Sequence, residues 1–240
     1  MKILRSSLTL ALTFFAATAL SHAAESRSDL NQLLENAKGW LLNYQSNSEK
    51  AIPAEVFQKA EGVFFCKMVG GSFIIGAQGG EGFGMVRKDG EWSPPAFYSV
   101  GSGSIGAQIG GGETTILMFL MNAEGLKILN SDETNWSGTA KAVGGPSSAS
   151  ASDSFSSDTT AKQNSVIGSA DIFYYVTASG LEASAAFKGS QCSYDEESTD
   201  TYYAQSGLSR QAVYDSKVSM TEQIKSFVEV LNQCAEGSAQ

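Results

Sequence analysis

Few residues in this chain can do chemistry, and their spacing limits what that chemistry could be. The one histidine is His22, inside a leader-like segment, so Ser-His-Asp triads, Cys-His pairs and histidine-ligated zinc are denied to residues 24–240. Cys66, Cys192 and Cys234 are too few for a disulfide scaffold and odd in number. Cys66, within "GVFFCKMV", reads as a small buried apolar group. Cys192 and Cys234 lie near the ends of polar or helical segments, where a bridge between them is one of two outcomes in an oxidising compartment. Glu81 and Glu113 are embedded in glycine-rich blocks. A hydrolase working through them would need both carboxyls to converge in one pocket with shifted pKa values. The densest acidic run, "DEESTD" at 195–200, lacks the glycine and glutamate pattern of a calcium loop and reads as a solvated loop.

The stretch "FIIGAQGGEGFGMVRKDGEWSPP", residues 73–95, poses the question of a phosphate cradle. A phosphate loop needs backbone N–H groups converging at a helix start, with a lysine or an acidic ribose partner at a set offset. Here Gly76, Gly79, Gly80, Gly82 and Gly84 lead into "FGMVRK", which is strand-like, and no Gly-Lys-Ser/Thr follows. These glycines are expected to permit positive φ at turns and close backbone approach in a strongly bent sheet. The Asp89-Gly90 pair predicts a two-residue hairpin turn. Trp92 before Ser93-Pro94-Pro95 reads as a hairpin cap with a fixed exit turn, the alternative being a binding rim.

Positioning these residues is the task of the surrounding elements. Residues 1–23 combine Lys2 and Arg5 with an apolar run and a Ser21-His22-Ala23 end, the pattern of a cleaved signal peptide; the mature chain is expected to be exported, periplasmic or secreted. The formal charge of −9 becomes two units more negative without Lys2 and Arg5, which repels nucleic acid phosphates. From Ser28, the predicted N-cap, Leu30, Leu33, Leu34, Ala37, Leu41 and Tyr44 fall on one face of an amphipathic helix. "IPAEVFQKAEG" predicts a short helix with Pro53 in its first turn and Gly62 at its end. "VFFCKMV", "SFIIGAQ", "FGMVRK", "GSIGAQIG" and "TTILMFLMN" then read as strands whose short connections make them a mostly antiparallel meander. Residues 145–165 read as a loop or thin edge strands, and two more strands are expected around Ser179-Gly180. The last element is a helix on which Ile224, Phe227, Val228 and Leu231 share a face, with Ser219 and Glu222 as its predicted capping box.

Three blocks, "GGSFIIGAQGGEGFGMVR", "DGEWSPPAF" and "GSGSIGAQIGGGETTILMFLMN", resemble in order and spacing the core of the SYLF family, the lipid-binding domain also found in yeast actin-associated proteins. "GGP" at 144–146, "IFYYVTASGLEASAAFKGS" and "TYYAQSGLSRQAV" are similar to later family blocks, so the likeness runs from about Asn31 to Leu231. Residues 24–240 are therefore expected to form a single SYLF-like domain of α+β class: a glycine-rich, mostly antiparallel, strongly bent sheet or partial barrel with flanking N-terminal and C-terminal helices. The resemblance implies no catalytic role and no cofactor. It implies lipid binding of phosphoinositide type through an amphipathic N-terminal helix carrying basic residues.

Carried onto this chain, that role falls to Lys38, Trp40, Leu41 and Tyr44, with Lys50, Lys59, Lys67 and Arg87 as the cations further on. Trp40 and Tyr44 suit a headgroup boundary, with Trp40, Leu41 and Leu42 as membrane anchors; packing of this stripe on its own domain is the other reading. The expected function is that of an exported, non-enzymatic module of the cell envelope whose partner is a lipid or membrane surface. An envelope protein is the alternative partner, in a structural or interaction role, and neither nucleic acid nor actin is expected. A carboxylate-dependent hydrolase is the remaining alternative.

Overall fold

The computed structural model describes residues 25–47, 51–72, 75–105, 110–130, 133–136, 141–145, 167, 169–178 and 190–237. The predicted signal segment, Lys50, most of the serine-rich stretch and the strand expected after Gly180 lie outside the described residues. The chain opens with helices α1 (Arg27–Gln45) and α2 (Ala54–Lys59). Five strands follow, β1 (Gly62–Ser72), β2 (Ile75–Lys88), β3 (Glu91–Trp92), β4 (Ala96–Ile105) and β5 (Gly110–Leu120). After these come α3 (Lys127–Asn130), β6 (Glu133–Asn135), β7 (Ala142–Gly144), β8 (Ile172–Ala178) and β9 (Ser190–Tyr194). Helices α4 (Glu196–Tyr203), α5 (Arg210–Tyr214) and α6 (Glu222–Ala235) close the fold.

Among the described residues the strands form one open sheet in the order β6-β9-β4-β2-β1-β5-β8-β7, with β3 paired to the end of β2. All pairings are antiparallel except β7 with β8. The sheet is curved but does not close, so of the two expected forms the bent sheet is the one adopted. The run "VFFCKMV" is apolar without alternation because the sheet is covered on both faces. Phe65, Phe83, Phe97, Leu117 and Phe119 look toward α1, α2 and α6. Phe64, Cys66, Tyr98, Ile116 and Met118 look the other way, toward α3 and α5.

Local chemistry explains the element ends, with several corrections. Helix α1 begins two residues earlier than expected: Ser26, not Ser28, is the N-cap, and it forms a reciprocal capping box with Asp29. Asp89 (φ 53°) and Gly90 (φ 87°) make the predicted β2–β3 turn, in the left-handed region that a two-residue hairpin demands. Gly62 does not cap α2; Ala60 does, and Gly62 already pairs in β1. Helix α6 is capped by Thr221, whose Oγ1 accepts from the Ile224 N–H at 3.4 Å, rather than by Ser219. The "DEESTD" run is a helix start, not a loop. Asp195 caps it by accepting from the Ser198 N–H at 2.9 Å, and Glu196 and Glu197 favour the positive end of the helix dipole. A Cys192–Cys234 bridge is not formed. Both thiols are free and buried, and they lie in the cores on opposite faces of the sheet.

Candidate functional site

Leucines three and four apart bury one face of α1, so Leu30, Leu33, Leu34, Ala37 and Leu41 enter the core shared with α6 and the sheet. Leu41 is therefore a core residue rather than a surface anchor. Trp40 and Tyr44 stand at the rim of this contact, half-buried and stacked with ring centroids 4.6 Å apart. The Trp40 ring meets Phe65 edge-on, and its Nε1–H donates to Thr177 Oγ1 at 3.1 Å. Tyr44 meets Tyr175 edge-on at 5.7 Å, and burial pushes its phenol up to about 12. The aromatic stripe thus packs on its own domain. Leu42, the one large apolar side chain of α1 that stands exposed (40 %), points away from that core.

The cations are scattered and largely matched. Lys38 donates to Ser226 Oγ at 2.9 Å and pairs with Glu35 at 3.2 Å. Lys59 pairs with Glu55 one turn before it, and Lys67 reaches Glu113 across the strand pair at 2.9 Å. Arg87 donates through Nη1 to the carbonyls of Phe57 and Gln58, and its guanidinium carbon lies 4.3 Å from the centre of the Trp92 ring. Partial burial pulls the Arg87 pKa down. These side chains sit on four different elements, α1, α2, β1 and β2.

Trp92 is buried and closes the β2–β3 turn, while the Ser93 Oγ accepts from the Val86 N–H at 3.0 Å and donates to the Pro94 carbonyl at 2.9 Å. That is the hairpin-cap reading. A neighbouring cavity of about 300 Å³ is lined by Lys88, Asp89, Glu91, Trp92 and Asp215, with Lys88 ion-paired to Asp215. Its charged lining does not suit a lipid chain.

Of the two acids considered for a hydrolase, Glu113 is held by Lys67 and half-exposed. Burial foremost, then the nearby carboxyls of Glu25 and Asp29, push Glu81 up to about 8 against the opposing pull of Lys67. Glu81 and Glu113 flank Lys67 on one face of the sheet, and neither lines the cavity beside Trp92 or the groove along α6. Among the described residues, no group of three His, Cys, Asp or Glu is placed to hold a metal ion. Nor is any helix there long and apolar enough to cross a membrane. Sequence reasoning did not single out Glu25, the neighbour that most perturbs Glu81. Only the antiparallel register and the path of α1 bring the two together.

Residues 101–234 match the family described as "Ysc84: Las17-binding protein actin regulator". No curated protein and no solved structure matches the chain. That description overturns the expectation that excluded actin, which had followed from the predicted export alone. A SYLF domain is generally an interaction domain for lipid or protein. With more than half of its length matched, the chain belongs to the Ysc84 (SYLF-domain) family.

Proposed function

We propose that this chain is a non-catalytic, exported binding module that attaches to lipid surfaces through apolar contacts at the exposed edge of α1. The observation that carries this reading is the contrast within the candidate set. Lys38, Lys59 and Lys67 are each matched by a carboxylate of the protein itself, whereas Trp40 and Tyr44, one turn apart on the same edge of α1, remain half-open. Polybasic recruitment needs unmatched cations, each worth about 1 kcal/mol at an anionic surface. Apolar attachment instead scales with buried area, at about 25 cal/mol per Å², and does not fade with salt.

The test is vesicle co-sedimentation across a salt series, using phosphatidylcholine vesicles with and without phosphatidylserine. Binding is expected to persist at high salt and to drop at least tenfold in Trp40→Ala with Tyr44→Ala, the pair stacked on that edge. Leu41 is left intact, since truncating it would open the core. Loss of binding with salt, full binding by the double variant, or no binding to either vesicle overturns the proposal.

A second reading is favoured by the description of the matched family, an actin regulator that binds Las17. In it, the folded surface docks on an actin-related protein. Co-sedimentation with actin filaments tests it directly, and a chain left wholly in the supernatant counts against it.

A further inference from the structure

Glu81 occupies an unusual position in β2. Antiparallel register places it in one row with Thr115, Lys67 and Ser99. Alternation along the strand puts it on the face of Phe83 and Met85, the face that α1 covers. Its two polar neighbours in the row are engaged elsewhere. From β1, Lys67 turns to Glu113 of β5 at 2.9 Å. From β4, the Ser99 Oγ donates to Asp195 Oδ2, the cap of α4, at 3.0 Å. The groups facing Glu81 from the start of α1 are the carboxyls of Glu25 and Asp29, the latter fixed in the capping box with Ser26. The Glu81 Oε2 is buried and has no hydrogen-bond partner. A carboxylate so placed has one nearby ammonium, already paired to Glu113, and two nearby acids, of which Glu25 shares a hydrogen bond with it. Ionised, it would be a poorly compensated charge in a partly buried place.

We propose that Glu81 is a proton-operated latch for the N-terminal turn of α1: protonated, it lets Glu25 and Asp29 close over the sheet, and its ionisation loosens that turn. The geometry sets the direction. The docked turn removes water from the carboxyl and brings two acids toward it, whereas the loosened turn returns water and takes them away.

The sign of the pH dependence follows. Docked, Glu81 keeps its proton up to about 8, chiefly through burial. Undocked, it ionises near the ordinary carboxylate value of about 4.3. Between these values each loosening event releases one proton, so its equilibrium constant rises about tenfold per pH unit where the separation is complete. The latch is tightest below about pH 4.5, weakens toward pH 8 and changes no further above it. This device concerns the docking of α1 alone and holds whatever α1 binds.

Native-state hydrogen exchange tests it, with rates corrected for intrinsic exchange and the α6 amides as internal reference. Between pH 5.5 and 8, protection of the amides from Asp29 to Leu34 is expected to fall relative to α6 by up to tenfold per unit. In Glu81→Gln the ratio should be high and flat. In Glu25→Gln, which leaves Glu81 in place but removes its nearest acid, the fall should end at a lower pH. A flat wild-type ratio overturns the proposal, as does a wild-type slope in Glu81→Gln. Should Glu81→Gln fail to fold, an unchanged titration window in Glu25→Gln overturns it.

Discussion

The two ends of β2 both pair with β1 yet are built from opposite materials. From Phe83 onward the strand carries side chains that fill space: Phe83 lies 5.8 Å from Phe65 and edge-on to Phe227 at 5.3 Å. Toward Gly76 half of its positions are glycine, with Gln78 and Glu81 among the rest. The glycines there differ among themselves. A Cβ on Gly80 would stand 2.0 Å from the Lys67 carbonyl oxygen, whereas one on Gly79 would meet nothing within 4 Å. On the crowded side glycine allows the β1 and β2 backbones to approach. On the open side it leaves bare backbone beside Val69, which is 60 % exposed. A single strand thus serves as core at one end and as a glycine-rich shelf at the other.

The strongest way to break this comparison is to truncate the filled end. Phe83→Ala removes an aromatic packed on two others and should lower unfolding stability by about 3–5 kcal/mol, read as a drop in urea midpoint at unchanged m-value. A loss under about 1 kcal/mol would mean that the packing there is not tight. Next in size is the contrast between adjacent glycines. Gly80→Ala should cost about 1–3 kcal/mol by forcing the strands apart. Gly79→Ala should be neutral or raise stability by up to about 1 kcal/mol, because it only restricts the unfolded chain. Equal losses at both positions would erase the distinction between the two sides. The smallest effect lies at the boundary between the ends, where Lys67 meets Glu113. That pair is about one-third and one-half exposed, so Glu113→Gln should shift thermal stability by less than about 1 kcal/mol, and less still in high salt.

What was readable in the sequence tracks how local each cause is. The α1 face, the Asp89-Gly90 turn and the strand character of the glycine blocks depend on neighbours within a few residues, and each stands where periodicity or turn chemistry put it. Cap positions slipped by two residues because Ser26 and Ser28, or Ser219 and Thr221, are equally good caps in isolation; packing of the helix chooses between them. The acidic run at 195–200 looked like a solvated loop because its apolar partner, Phe97 against Tyr202, comes from a distant strand. For the candidate site, composition named the aromatic and basic residues but not their partners. That Lys38 meets Ser226 and Lys67 meets Glu113 depends on long-range register, and so does the burial of Leu41 against exposed Leu42.

The strand order carries a consequence for how the chain reaches this state. Strands β4 and β5 are consecutive in sequence, but they lie on opposite flanks of the β1–β2 hairpin. Neither can find its edge until that hairpin exists, since β4 needs β2 and β5 needs β1 as templates. The hairpin is the cheapest pairing to form, because its partners close a short loop. Strands β8 and β9 then dock on positions set by chain segments far upstream, which raises contact order and slows the search. Assembly should therefore run outward from β1–β2 in both directions, and substitutions inside that hairpin should retard folding, while those in β8 or β9 should mainly hasten unfolding.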